Sequence, residues 1–261
     1  MRIISPSLLA ANFKNISEDI KKVESAGADR LHLDVMDGNF VPSITFGPMI
    51  VSAINECTDC HLETHLMIQK PHKSLDQYIK AGSDTIIIHT EASSNPKEDL
   101  LYIRKNNVYA GIALNPYTDE NCLLPILDYL DYILIMSVVP GKGGQSFIKS
   151  TLNKMENIVQ MTKDRNITIG VDGGINLDTI SRVYDTGIDI TIVGSALFKS
   201  DNISQRYLDC LPRNLLLKLK QNSHFLQSLL LLKVLKFNCI NLRSIKKGLP
   251  LTVTSFACCK H

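Results

Sequence analysis

Up to about residue 200, short apolar β-rich runs alternate with longer amphipathic stretches. The runs fall at residues 3–5, 30–34, 61–67, 85–89, 108–114, 132–136, 167–171 and 190–193. Each is too short for a helix and apolar on at least one face, the pattern of strands in a sheet covered by helices. Between them, residues 16–26, 74–81, 97–105, 150–163 and 177–186 place apolar side chains at helical spacing. Three of these stretches stop at a glycine, in Ala26-Gly27, Ala81-Gly82 and Thr186-Gly187, where a left-handed residue ends a helix. Strand–helix repeats about 25 residues long predict a parallel sheet. Eight strands predict that it closes into a (β/α)8 TIM barrel. A doubly wound open sheet would carry a glycine-rich turn after its first strand, where this chain has Pro6-Ser7-Leu8-Leu9.

Charge divides the chain in two. Nine of the 28 basic residues and none of the 26 acidic ones follow Asp209, so the net charge of +2 hides an acidic body and a basic tail. We therefore read residues 1–207 as the barrel and 208–261 as an atypical basic, leucine-rich C-terminal extension. The plain reading of the extension is an appended segment outside the chemistry. A helix lying on an anionic membrane surface is the sharper one. Without aromatic interleaving or a binding motif, the basic residues give no expectation of nucleic acid. The opening residues carry no leader pattern, since Pro6 interrupts the first apolar stretch. No apolar run reaches the ~20 residues of a membrane span, so the expectation is a cytoplasmic protein with no membrane partner. Seven scattered cysteines then read as free thiols in a reducing compartment. Cys57 and Cys60 form a CxxC, but no second pair follows at metal-finger spacing, and the motif precedes its strand, on the barrel face away from the expected site.

Barrel active sites assemble at the C-terminal ends of the strands, so the polar residues there are the candidates. The second strand ends His32-Leu33-Asp34, and period two puts imidazole and carboxylate on one face. The third carries His65 and the seventh ends at Asp172. Singly, each is more often a core histidine or a cap. Two imidazoles and two carboxylates at one end of a barrel form a candidate divalent-metal site, because unpaired buried charges would cost several kcal/mol each. Glycine-rich loops follow the last three strands: Gly141, Lys142, Gly143 and Gly144; then Gly173 and Gly174; then Gly194-Ser195. Their exposed N–H groups, with the helix N-termini behind them, suit a phosphate ester.

These residues sit within longer motifs. SPSLLAANF, HLDVMDGNFVPSITFG, HLM, PGKGGQSF and VDGGIN, all within residues 4–195, closely resemble the ribulose-phosphate 3-epimerase family. The resemblance implies an isomerase of the pentose phosphate pathway interconverting D-ribulose 5-phosphate and D-xylulose 5-phosphate. It implies one divalent cation (Zn, Fe, Mn or Co) on His32, Asp34, His65 and Asp172, with Asp34 and Asp172 as the acid/base pair. Substrate contacts are implied from Ser7, His65, Gly141–Gly144, Asp172–Gly174, Gly194 and Ser195, and a homo-oligomer is expected. Met36 and Met67 are either apolar packing around the substrate or ordinary core. Asn12, Val139 and Lys142 depart from the family's usual aspartate, glutamate and phenylalanine; Lys142 would add a positive charge near the phosphate. The alternatives are an allulose-6-phosphate 3-epimerase, a hexulose-phosphate lyase, and a non-catalytic sugar-phosphate binder.

Overall fold

The computed structural model describes residues 3–212; the reading of the basic extension lies outside them apart from its first residues. Eight parallel strands, β1 (Ile3–Pro6), β2 (Arg30–Met36), β3 (His61–Met67), β4 (Thr85–His89), β5 (Tyr109–Leu114), β6 (Tyr132–Met136), β7 (Thr168–Asp172) and β8 (Ile190–Val193), form one sheet. Their order is β1-β8-β7-β6-β5-β4-β3-β2, and the sheet curls until its two edges meet. One bridge, Ser7 to His32, joins the β1 edge to the β2 edge. The expected TIM barrel is the fold observed.

Around it lie α1 (Ile16–Ser25), α2 (Pro48–Cys57), α3 (Leu75–Lys80), α4 (Pro96–Lys105), α5 (Thr151–Thr162), α6 (Ile180–Asp185), α7 (Ser195–Phe198) and α8 (Ile203–Cys210). Local chemistry starts them. The Asn95 side chain accepts the Glu98 N–H ahead of α4, with Pro96 at its first position, and Asn202 accepts the Gln205 N–H ahead of α8. Two expectations need correction. Between β5 and β6 the chain makes only two short 3-10 turns, Glu120–Leu123 and Leu127–Tyr129, in place of an eighth barrel helix. And α8 runs across the boundary drawn at residue 207: Cys210 is buried in the core, its carbonyl accepting the Tyr184 hydroxyl, and the compact unit reaches Pro212.

Strand alternation sorts the side chains into two cores. Leu31, Leu33 and Val35 of β2, like Ile86 and Ile88 of β4, face the helices and join the main apolar cluster. The intervening residues face the lumen. On β5, β6 and β8 these are apolar, with Ala113, Leu134, Met136, Ile190 and Ile192 packed together and Ile87 of β4 beside them. Tyr132 fills the lower lumen across Gly170, where an added Cβ would lie 2.0 Å from the tyrosine hydroxyl. On β2 and β3 the same positions hold His32, Asp34, Glu63 and His65, none more than 3% exposed. A protein interior rarely carries so many ionisable groups without a use for them.

Candidate active site

The register of β2 on β3 builds the site. Asp34 stands opposite His65, and His32 opposite Glu63. The Asp34 carboxylate accepts the Ser7 hydroxyl on one oxygen at 2.6 Å; the other lies 3.0 Å from His65 Nδ1 and 3.4 Å from His32 Nε2. Asp172, at the end of β7, completes the group. His32, Asp34, His65 and Asp172 each offer one ligand atom, and the four atoms lie within 4.8 Å of one another. Two neutral nitrogens and two carboxylate oxygens at this spacing fit a divalent cation such as zinc or manganese. Among the described residues this is the one such cluster.

Its electrostatics are uneven. Burial works against charge on His32, but the carboxylates of Asp34 and Glu63 outweigh it and hold the imidazole up at about 10. Burial likewise opposes charge on Asp34, and the two histidines overcome it, keeping that carboxyl far below its usual range. Burial pushes His65 down to about 4, with the Asp34 contact pulling the other way. Asp172 has no cationic neighbour strong enough: burial, then the charge of Asp34, raise it well above the usual carboxylate range. Without a cation, therefore, a proton on His32 balances Asp34, and a metal ion would displace it.

Above the cluster opens a pocket of about 750 Å³. Ser7, Asp34 and Asp172 reach its floor, and its wall carries Gly141 through Gly144, Gly173, Gly174, Gly194 and Ser195. So the residues expected to bind substrate line one cavity, with one exception: His65 is fully buried behind Asp34, off the wall. Met36 and Met67 also face the pocket, packed on Val41. Gly173 and Gly174 have φ of 117° and 67°, and a Cβ on Gly174 would lie 2.5 Å from the Phe147 backbone nitrogen, so only glycine lets the β7 loop pass there. Ser137, absent from the sequence reading, holds that loop by donating its hydroxyl to the carbonyls of Asp172 and Gly173. Gln145 braces the β6 loop from inside, donating to the carbonyls of Val139 and Lys142. Lys142 and Lys199 bring positive charge to the lining, while the exposed Val139 lies outside it. Sequence reasoning found Lys142 and missed Lys199, which follows the last strand by six residues.

It also missed the polar groups beneath and beside the ligands. Glu63 accepts from Arg30 at 2.6 Å and from Ser5 at 2.8 Å, and lies 3.4 Å from His32 Nδ1. His89, at the end of β4, meets His65 at 2.9 Å. The rule that singled out polar residues at strand ends applied to His89 as well. Cys57 and Cys60 stay remote from the pocket as free thiols, Cys60 buried against Glu24 and Ala28 and pushed up to about 12 by burial.

Comparison with known proteins agrees with this geometry. A solved 3-hexulose-6-phosphate synthase from Salmonella typhimurium superposes with a TM-score of 0.62 at 16% identity, covering 84% of this chain and 99% of its own, a likeness of fold. Ribulose-phosphate 3-epimerase of Bacillus subtilis is 40% identical over 198 residues, 75% of this chain and 91% of the relative. That of Synechocystis sp. is 43% identical over 207 residues, 78% and 90% of the two chains. Residues 3–198 match the model of the ribulose-phosphate 3-epimerase family. With eight parallel strands, the His/Asp cluster and the glycine-lined pocket in place, the chain belongs to the ribulose-phosphate 3-epimerase family.

Proposed function

We propose that this protein interconverts D-ribulose 5-phosphate and D-xylulose 5-phosphate by moving the proton on carbon 3 from one face to the other. The observation that carries the reading is the pair Asp34 and Asp172: two carboxyl groups on different strands, in one ligand cluster at the floor of one pocket. Epimerisation needs one group to take a proton and another to return it from the opposite side. The two differ as that task asks, Asp34 being held as the anion by its histidines and Asp172 being biased toward the acid. The Ser7 hydroxyl fixes the Asp34 carboxylate in place, and the pocket's methionines line the wall beside it. A divalent cation held by His32, Asp34, His65 and Asp172 supplies Lewis-acid stabilisation of the charge that develops when the proton leaves. The glycine loops, with Lys142 and Lys199, receive the phosphate. The protein acts on a small sugar phosphate, in the cytoplasm and as a homo-oligomer.

The test is turnover of D-ribulose 5-phosphate before chelation, after it, and after add-back of single cations, with allulose 6-phosphate in parallel. Activity that vanishes on chelation and returns with one cation is the expected result. Turnover insensitive to chelation would refute the metal site; turnover of the hexulose phosphate alone would reassign the substrate. Lys142→Ala should raise KM about fivefold, the worth of an exposed ion pair of about 1 kcal/mol. An unchanged KM would remove Lys142 from the phosphate.

A further inference from the structure

Neither His89 nor Glu91 lines the substrate pocket. Both are nevertheless wired to the ligand cluster. His65 turns Nδ1 toward Asp34 and Nε2 toward His89 Nε2, 2.9 Å away. The two rings are inclined by 29° with centroids 5.0 Å apart, so they meet edge to edge along an N–H···N line. His89 Nδ1 in turn lies 3.2 Å from Glu91 Oε2, and the ring is covered by Phe40 at 4.8 Å. The other Glu91 oxygen accepts the Asn115 N–H at 2.8 Å and the Thr118 hydroxyl. The loop carrying those donors is fixed by Lys154 of α5, whose ammonium donates to the carbonyls of Asn115, Pro116 and Thr118.

A neutral imidazole has one N–H and one lone pair, and a carboxylate only accepts. Glu91 therefore accepts a hydrogen bond from His89, whose proton sits on Nδ1. His89 then has only a lone pair at Nε2, which must accept, so the His65 proton sits on Nε2. That leaves the His65 Nδ1 lone pair facing the cluster, the one arrangement in which His65 can hold a cation there. Asp34 alone would favour the reverse, since a carboxylate 3.0 Å from Nδ1 draws a proton to that nitrogen. We infer that Glu91, acting through His89, is a positioning residue that fixes His65 in the metal-binding tautomer. The inference rests on the metal-site reading above. His32 has a shorter version of the same arrangement, with Glu63 facing its outer nitrogen directly. Partners of this kind set ring orientation and ligand basicity, and their loss typically lowers metal affinity 10–100-fold.

Glu91→Gln tests it with little change of shape. Asn115 N–H and Thr118 O–H hold the amide oxygen on their side, which turns the amide NH2 toward His89 Nδ1. His89 then carries its proton on Nε2, against the His65 N–H. Zinc affinity of the full chain, measured by competition with a chelator, should fall 10–100-fold relative to wild type. In the zinc-loaded wild type, nitrogen-15 spectra of the imidazoles should place the His89 proton on Nδ1. This second measurement needs no variant, so poor folding of Glu91→Gln would leave the inference exposed to it. An affinity within twofold of wild type, or a His89 proton on Nε2 in the wild type, would overturn the inference while leaving the metal site standing. A wild-type chain that takes up no zinc, manganese, iron or cobalt would remove the metal site and this inference together. Uptake without epimerase turnover would defeat only the proposed function.

Discussion

On one side of the lumen, β2, β3 and β4 turn His32, Asp34, Glu63, His65 and His89 inward. On the other, β5, β6 and β8 turn in Ala113, Leu134, Met136, Ile190 and Ile192. Strand geometry and burial are the same on both sides, so the contrast is one of chemistry alone. The apolar side needs only shape. The ionisable side opposes folding unless every charge finds a partner, and its groups are linked from Arg30 at the bottom through Glu63 and His32 to Asp34. The barrel thus gains stability on one side and holds reactive groups in fixed positions on the other. Changes made on the two sides should separate stability from chemistry.

The largest separation is expected at the site. Asp172→Asn should reduce turnover by roughly 10²–10⁴-fold, the range for loss of a general acid or base. It should also stabilise the cation-free protein near neutral pH. The native carboxyl is raised by burial and by Asp34, so its ionised form opposes folding, and the amide escapes that penalty. Chemical denaturation of the chelated variant checks this; lower stability there would mean that Asp172 is structural first. Next in size is Glu63→Ala, which removes the 2.6 Å partner of Arg30 and the carboxylate facing the outer nitrogen of His32. Urea unfolding should show a loss of roughly 3–5 kcal/mol, accompanied by weaker metal binding. On the apolar side, Leu134→Ala should lose roughly 2–5 kcal/mol to the cavity it leaves, with metal affinity unchanged. If Leu134→Ala weakened metal binding as much as Glu63→Ala does, the two halves would not be separable.

Acid gives the mildest version of the same contrast. Burial favours a neutral Glu63, but His32, Arg30 and Ser5 hold its carboxyl down at about 2, below the ordinary 4.5. A carboxyl lowered on folding contributes stability that is complete above its unfolded pKa and fades as pH falls through its folded one. That contribution should therefore disappear between about pH 4.5 and 2 in the native chain. In Glu63→Gln the slope of unfolding free energy against pH over this window should be shallower; an identical slope would assign the acid sensitivity elsewhere.

Much of this was legible in the sequence, for a physical reason. Strands of a parallel barrel are buried on both faces, so most stand out as apolar runs. β2 and β3 keep apolar residues on alternate positions, and all eight were recognisable to within two residues. Helix α2 escaped because Pro48–Cys57 carries Met49 and Ile50 outside its buried Val51 and Ile54, leaving no clean polar face. Asp34, His65 and Asp172 could be found because they sit in the C-terminal halves of their strands, whereas His32, third of seven residues in β2, came with Asp34 through the period of two. Their partners could not be found in that way. That His32 faces Glu63, and Asp34 faces His65, depends on the register of β2 against β3, which hydrophobic periodicity leaves open by any even number of residues. The Glu91 contacts depend further on a loop after β5 whose position is set by Lys154, 39 residues from Asn115.

The closing seam of the barrel has its own consequence. Every other neighbouring pair of strands is laced along at least three residues, whereas β1 meets β2 through the single bridge of Ser7 to His32. Those two residues also hold Asp34, one through its hydroxyl and the other through its ring. A cation bound to His32 and Asp34 on β2 and to Asp172 on β7 would therefore tie the cylinder across its thinnest joint, since only β1 and β8 lie between those strands. Solvent exchange of the backbone amides along β1 and β2 should slow when the cation binds, more than along β5 and β6, making that joint a gauge of occupancy readable without substrate.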